Sequence, residues 1–251
     1  MIYIGSQDYP QNQIKRELNI PDESTHVLID WANFMREVCE QNLEENPFEL
    51  GGFHEDGSSI IVEIDESKYF HRKYHCRQWH EGHWVFGAIE RHTERCCLAE
   101  VPNRRKETLI PIIQRWILPG TRIVSDGWAA YADIEEIQGG IYRHDVVVHQ
   151  DNFVDPGDAT VHTQNIENTW FRSKRKLRRQ CGTSQELFPS YLAEFLWRNR
   201  FPKRHHFAEF IACVKHLQRL ICHFCNFRSK ICNKPINNCF TFLESRFEYV
   251  K

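Results

Sequence analysis

Ile60-Ile61-Val62-Glu63-Ile64-Asp65 is an apolar run that closes on a carboxylate, and Ile123-Val124-Ser125-Asp126-Gly127 repeats the arrangement farther along the chain. A third acid, Glu167, stands in His162-Thr163-Gln164-Asn165-Ile166-Glu167-Asn168-Thr169-Trp170, which reads as the start of a helix. Asp65 and Asp126 are 61 residues apart and Asp126 and Glu167 are 41 apart, so only the fold can bring them together. Carboxylates at the ends of two paired strands can share a ligand, because neighbouring strands lie roughly 4.8 Å apart. Mg²⁺ or Mn²⁺ would suit such a set, since hard cations take oxygen ligands and keep several waters. Two ions about 3.5–4 Å apart activate the attacking oxygen and stabilise the leaving one in phosphoryl transfer. Each acid also has a plainer reading. An Asp after a strand is a turn former, and a Glu in a first helical turn complements the helix dipole.

The chain has 251 residues, 41% of them hydrophobic and 13% aromatic, enough to build a core as one large domain or two small ones. No stretch approaches the roughly 20 apolar residues of a membrane span. Met1-Ile2-Tyr3-Ile4-Gly5-Ser6-Gln7 lacks the basic and then apolar pattern of a secretory signal. The expectation is an intracellular, reducing location, the nucleus in a eukaryote or the cytoplasm and nucleoid in a bacterium, with the 10 Cys mostly free thiols. Net charge is only −2, so nothing global draws the chain to a polyanion.

Three segments are expected. Residues 1–50 read as a partial helical DNA-binding segment. Pro10 to Leu18 suits a short helix, and Ser24 or Thr25 can cap a second carrying Leu28, Trp31, Met35, Val38 and Cys39 at helical spacing. The pair is helix-turn-helix-like, or a plain helical hairpin. Glu44-Glu45-Asn46-Pro47 and Gly51-Gly52 read as a linker. Residues 51–200 read as the catalytic domain, with strands at Ile60–Asp65, His83–Glu90, Arg95–Val101, Arg122–Asp126 and Tyr142–Val148. Helices fall at Glu107–Ile117 and Trp128–Ile134 and after Glu167. That order predicts an α/β fold with a mixed sheet flanked by helices. Residues 201–251 read as a C-terminal helix and an unassigned tail.

Arg172, Lys174, Arg175, Lys176, Arg178 and Arg179 form a basic run directly after Glu167. At about 100° per residue, Lys174 and Arg178 share the Glu167 face, and Trp170 and Leu177 form the apolar stripe beside it. A charge run is often a solvated face, but six cations without an acid among them favour a polyanion. His71, His75, Cys76, His80 and His83 cluster with Lys68, Arg72, Lys73 and Arg77. A basic hairpin on DNA phosphate, through Arg72 and Lys73, is preferred there to zinc. Cys96-Cys97 reads as packing, since adjacent strand residues face opposite ways. Cys222-His223-Phe224-Cys225 is a zinc half-site without a well-spaced second half in Cys232 and Cys239.

Taken in order, these pieces carry a resemblance. Gly51-Gly52, Val62-Glu63-Ile64-Asp65-Glu66-Ser67, Trp84-Val85-Phe86-Gly87, Leu109-Ile110-Pro111, Pro119-Gly120-Thr121, Ser125-Asp126-Gly127-Trp128, Tyr131, His149, His162-Thr163, Ile166-Glu167, Trp170, Lys174 and Tyr191–Arg198 are together similar to the DDE transposases of the Merlin and ISXO type. That family belongs to the ribonuclease-H-like superfamily. The resemblance implies a ribonuclease-H-like sheet with the strands of Asp65 and Asp126 side by side. It implies Asp65, Asp126 and Glu167 as catalytic residues on two Mg²⁺ or Mn²⁺ ions. It further implies nicking and strand transfer on double-stranded DNA, both transposon ends and target, by a homo-oligomer. His149 and His162 are expected beside the site, and Glu66 is expected to point away from it. Family members carry a longer N-terminal DNA-binding region, and Gln164 stands where an Asn is common. The rival expectations are a catalytically inactive, transposase-derived DNA-binding protein and a ribonuclease-H-like nuclease on other substrates.

Overall fold

A computed structural model describes residues 2–70, 82–147, 161–179 and 184–217. The chain divides into two compact units, residues 40–202 and residues 1–39 with 203–251. Arg72, Lys73, His149, the other residues of the expected basic hairpin except Lys68 and His83, and the cysteines of the tail lie outside the described residues.

Residues 40–202 are built on a five-stranded mixed sheet. The strands are β2 (Ile61–Tyr69), β3 (His83–Glu90), β4 (Cys96–Val101), β6 (Arg122–Asp126) and β7 (Arg143–Val147), in the spatial order β4-β3-β2-β6-β7. β2, β3 and β4 form an antiparallel meander, whereas β6 joins β2 in parallel and β7 joins β6 in parallel. This is the strand order of a ribonuclease-H-like sheet, as expected. Helix α4 (Lys106–Trp116) supplies the crossover that a parallel strand needs. It buries Leu109 and Ile113 against Val62, Ile64, Phe86 and Ala88 on one face of the sheet. Helices α5 (Gln164–Arg179) and α6 (Phe188–Arg200) cover the other face, with Ile166, Trp170, Leu177, Phe188 and Leu192 against Tyr69, Val85, Ile89 and Leu98. Strand alternation thus divides β2, β3 and β4 between two cores. Cys96 and Cys97 fall on opposite sides as expected, and burial pushes the Cys96 thiol up to about 12.

Three expectations change. Asp65 is not the last residue of its strand, because β2 runs on to Tyr69 as the hairpin partner of β3. What ends near Asp65 is the parallel ladder, whose last pair is Glu63 with Val124. Nor is Gly51-Gly52 a linker. Leu50–Gly51 is β1, paired in parallel with β5 (Ile117–Leu118). Both glycines have positive φ, and a Cβ on Gly51 would fall 2.1 Å from the Thr121 hydroxyl. Their N–H groups donate to Glu90 Oε2 and Thr121 Oγ1, each at 2.8 Å. The stretch Trp128–Ile134 forms short 3₁₀ turns, at Ala129–Tyr131 and from Ile134, in place of one helix.

The other unit holds α1 (Ile2–Ser6), α2 (Gln11–Glu17), most of α3 (Thr25–Glu45) and a helix over 206–217. Of the expected stripe on α3, Leu28, Met35, Val38 and Cys39 are buried and Trp31 is half-buried. Tyr3 meets Phe207 edge-on, with centroids 5.3 Å apart.

Candidate active site

The parallel pairing of β2 and β6 positions the two aspartates. Partners in this ladder differ by 61 in residue number, as Ile61 and Arg122 do, and so do Asp65 and Asp126. Both therefore leave the ladder at the same level, at the carboxyl end of β6. Asp65 lies on the face covered by α5. Opposite it on β3 is Gly87, where a Cβ would sit 2.4 Å from the Trp170 ring. The missing side chain leaves room for the indole against the strand, and its Nε1 donates to Asp65 Oδ2 at 2.8 Å. The backbone N–H of Glu66 donates to Asp65 Oδ1 at 2.7 Å.

Asp126 accepts the backbone N–H of Trp128 on Oδ1 at 3.0 Å, as an Asp at the start of a turn does. Glu167, exposed in the first turn of α5, accepts the Thr163 hydroxyl at 3.2 Å. Electrostatics connects the three acids. Burial pushes the Asp65 carboxyl up to about 6, opposed by the bonds from Trp170 and Glu66 and reinforced by the charges of Asp126 and Glu167. A carboxylate that feels the charge of two others is part of an oxygen-rich set that a divalent cation would relieve, chemistry that suits a hard metal. Among the described residues no three acidic, His or Cys side chains stand close enough together to enclose a metal ion. Mg²⁺ does not require such enclosure, since it keeps several waters.

Glu63, two residues before Asp65, was not singled out as functional in the sequence. Its side chain is fully buried and holds α5 to β2. Oε2 accepts the backbone N–H groups of Asn165 and Ile166 at 2.9 and 3.0 Å, capping the helix that carries Glu167. Oε1 accepts from the Asn165 side chain at 2.7 Å and from Arg91 Nε at 2.9 Å. Arg91 also donates to the His162 carbonyl at 3.0 Å. The His162 ring stands 3.4 Å from Glu63 and belongs to this anchor. An acid inside an apolar strand run, two residues before a candidate ligand, was the available signal.

Glu66 points to the opposite face, as alternation predicts. It accepts the Tyr131 hydroxyl and lies 3.8 Å from Arg104. Burial pushes its carboxyl up to about 7, with Tyr131 and Arg104 opposing and Asp65 and Asp126 adding to the rise.

The basic run divides. Lys174 reaches Ser67 Oγ at 2.5 Å and lies over the Tyr69 ring. Lys176 pairs at 3.0 Å with Glu194 on α6. Burial alone would raise the Glu194 carboxyl, but Lys176 and Arg198 hold it down to about 2. Arg172 bonds Asn199 Oδ1 at 2.7 Å. Arg175, Arg178 and Arg179 are exposed, with Arg175 over the exposed ring of Phe171. The run is thus partly internal, because an acid absent from its own sequence, Glu194, reaches it from α6.

Residues 53–200 match the ISXO2-like transposase domain. The chain belongs to this DDE transposase family. Curated proteins give no match. Among solved structures, the BIV integrase catalytic core is similar at 12% identity over 55% of this chain and 80% of that one, with a TM-score of 0.37. The HTLV-2 integrase core, solved in complex with magnesium, is similar at 14% identity over 55% and 83%, with a TM-score of 0.36. In this transposase domain the two aspartates and Glu167 stand on β2, β6 and α5, with Asp65 within electrostatic reach of the other two.

Two outcomes follow from the site. Glu63→Gln puts amide protons among four donors and leaves Arg91 without its counter-charge. A loss of roughly 3–5 kcal/mol is expected, read as a fall of about ten degrees in melting temperature. An unchanged melting point would mean that the cap does not hold α5. For Asp65, the raised pKa means that the folded protein binds a proton more tightly than the unfolded chain. That stability is present below about pH 4 and is lost as pH rises through about 6. Asp65→Asn cannot ionise, so in EDTA it should melt above the parent at about pH 7.5, with the gap closing toward pH 4. A gap independent of pH would exclude this origin.

Proposed function

We propose that this transposase-family protein cleaves DNA strands at transposon ends and transfers them to a target, using Asp65, Asp126 and Glu167. The observation that carries the reading is the ladder of β2 and β6 that sets Asp65 and Asp126 at one level, beside the capped first turn of α5 that bears Glu167. Bound Mg²⁺ or Mn²⁺ would activate an attacking water or 3′-hydroxyl and offset charge on the leaving oxygen. The three carboxylates would hold the ions. Trp170 and the Glu66 amide fix the Asp65 oxygens, the Trp128 amide fixes Asp126, and Glu63 sets the height of Glu167 by capping α5. Thr163 orients the Glu167 carboxylate.

Double-stranded DNA is the proposed partner, met by the exposed cations Arg175 and Arg178, one and two turns beyond Phe171 on the stripe that begins at Glu167. Arg172 and Lys174 are tied to protein groups and meet phosphate less than the sequence alone suggested.

Two measurements test this. With Mg²⁺ or Mn²⁺ the parent should cut DNA bearing its element ends, while Asp126→Asn should bind that DNA normally and cut at least about a hundred-fold more slowly. Equal cutting would refute the assignment, and binding without cutting by the parent would favour a transposase-derived DNA-binding protein. Separately, Arg175→Ala with Arg178→Ala should weaken binding to all duplexes alike. For every phosphate that the variant no longer neutralises, the slope of log affinity against log salt should flatten by about 0.9. An unchanged slope would place DNA elsewhere.

A further inference from the structure

Trp128 follows Asp126 by two residues, and its ring is held in place. Its Nε1 donates to the Arg104 carbonyl at 3.0 Å, and the Arg104 guanidinium stacks 4.1 Å from the ring centroid. The same guanidinium lies 4.2 Å from the centroid of Trp84, which also receives Lys68 at 5.4 Å. Arg104 also faces the Glu66 carboxylate at 3.8 Å. A tryptophan with a satisfied N–H and a stacked cation is equipped for burial, yet 38% of Trp128 remains exposed. Its neighbours Gly127 and Ala129 are exposed and too small to cover it. Sequence alone marked Trp128 only as part of a motif, and none of the carboxylate chemistry uses its ring.

We propose that Trp128 is a stacking platform for an unpaired nucleobase of the DNA strand whose phosphate lies at Asp126. The proposal rests on the DNA-cutting reading above. Every base has a π-face, so aromatic stacking binds single strands with little sequence preference. In a duplex the base faces are covered by their neighbours, so a base reaches the indole only at a frayed or overhanging end. Such an end is what a strand-cutting enzyme handles. The backbone N–H of Trp128 sits on Asp126 Oδ1, so a base on the ring places its own phosphate beside the carboxylates. Arg104 and Lys68 supply positive charge along the same edge, and Arg104 polarises the indole from below.

The full chain, in EDTA so that no cutting occurs, is titrated against a fluorescein-labelled blunt duplex. It is then titrated against the same duplex with a short thymidine overhang, at the 3′ or the 5′ end in separate probes. The parent should bind one overhang probe about ten-fold more tightly than the blunt one. Trp128→Ala should bring the two within about two-fold, and Trp128→Phe should keep part of the difference. The proposal is overturned if the parent shows no overhang preference, if Trp128→Ala retains it, or if Trp128→Ala weakens blunt and overhang probes equally. A protein that prefers the overhang and never cuts with metal would sink the catalytic reading and leave this one standing. One that cuts and ignores the overhang would do the reverse.

Discussion

The Glu63 carboxylate, buried between β2 and the first turn of α5, is the constraint on which the site depends. Asp65 and Asp126 need no such device, because the parallel ladder of β2 and β6 sets their level. Glu167 arrives on a separate helix after a long stretch of chain. The only backbone amides a helix can offer a strand are the unpaired ones of its first turn, and Glu63 takes two of them. The cap fixes where α5 begins, and a helix fixed at its start has its first-turn side chains fixed with it. Burying a lone carboxylate would be prohibitive. Arg91 makes it tolerable, and by also holding the His162 carbonyl it ties down the chain entering the helix.

The site opposes stability while the anchor beneath it supplies stability. Asp65 is driven toward its neutral form by burial and by two neighbouring acids, a cost that a fold optimised only to persist would remove. The offsetting contacts are immediate. Trp170 donates to Asp65 and packs on Gly87, and Arg91, Asn165 and the helix amides neutralise Glu63 two residues away. Unfavourable and favourable acids alternate along one strand, with Glu63 satisfied, Asp65 strained, and Glu66 turned to the other face.

Much of this was legible. The two strands and the helix around the three acids fell where apolar runs and turn residues put them, and the α5 stripe of Trp170 and Leu177 is buried as the helical period requires. The misreadings share a cause. Gly51-Gly52 looked like a linker because glycine pairs mark flexible chain, but here positive φ and close approach to Thr121 build a two-residue strand. Asp65 looked like a strand end because the apolar run stops there, but the pairing with β3 continues in a half-polar pattern. The basic run looked uniformly free because its counter-charge, Glu194, lies on another helix. Each error concerns a partner distant in sequence, which local pattern cannot supply.

The same long-range logic explains why β2 can serve two surfaces at once. Its odd positions, Glu63, Asp65 and Ser67, face α5 and meet its first-turn amides, Trp170 and Lys174. Its even position Glu66 meets Tyr131 and Arg104 under the turn that follows Asp126. Arg104 in turn braces Trp128, whose amide holds Asp126. The two aspartates are therefore steadied from opposite faces of the sheet by neighbours of a single strand. A one-residue slip of β2 would exchange the faces of Glu63, Asp65 and Glu66 together. It would turn the capping acid away from α5 and put Glu66 where Asp65 stands. The apolar alternation of Val62 and Ile64 into the α4 core forbids that slip, so ordinary core packing enforces the register of the charged residues.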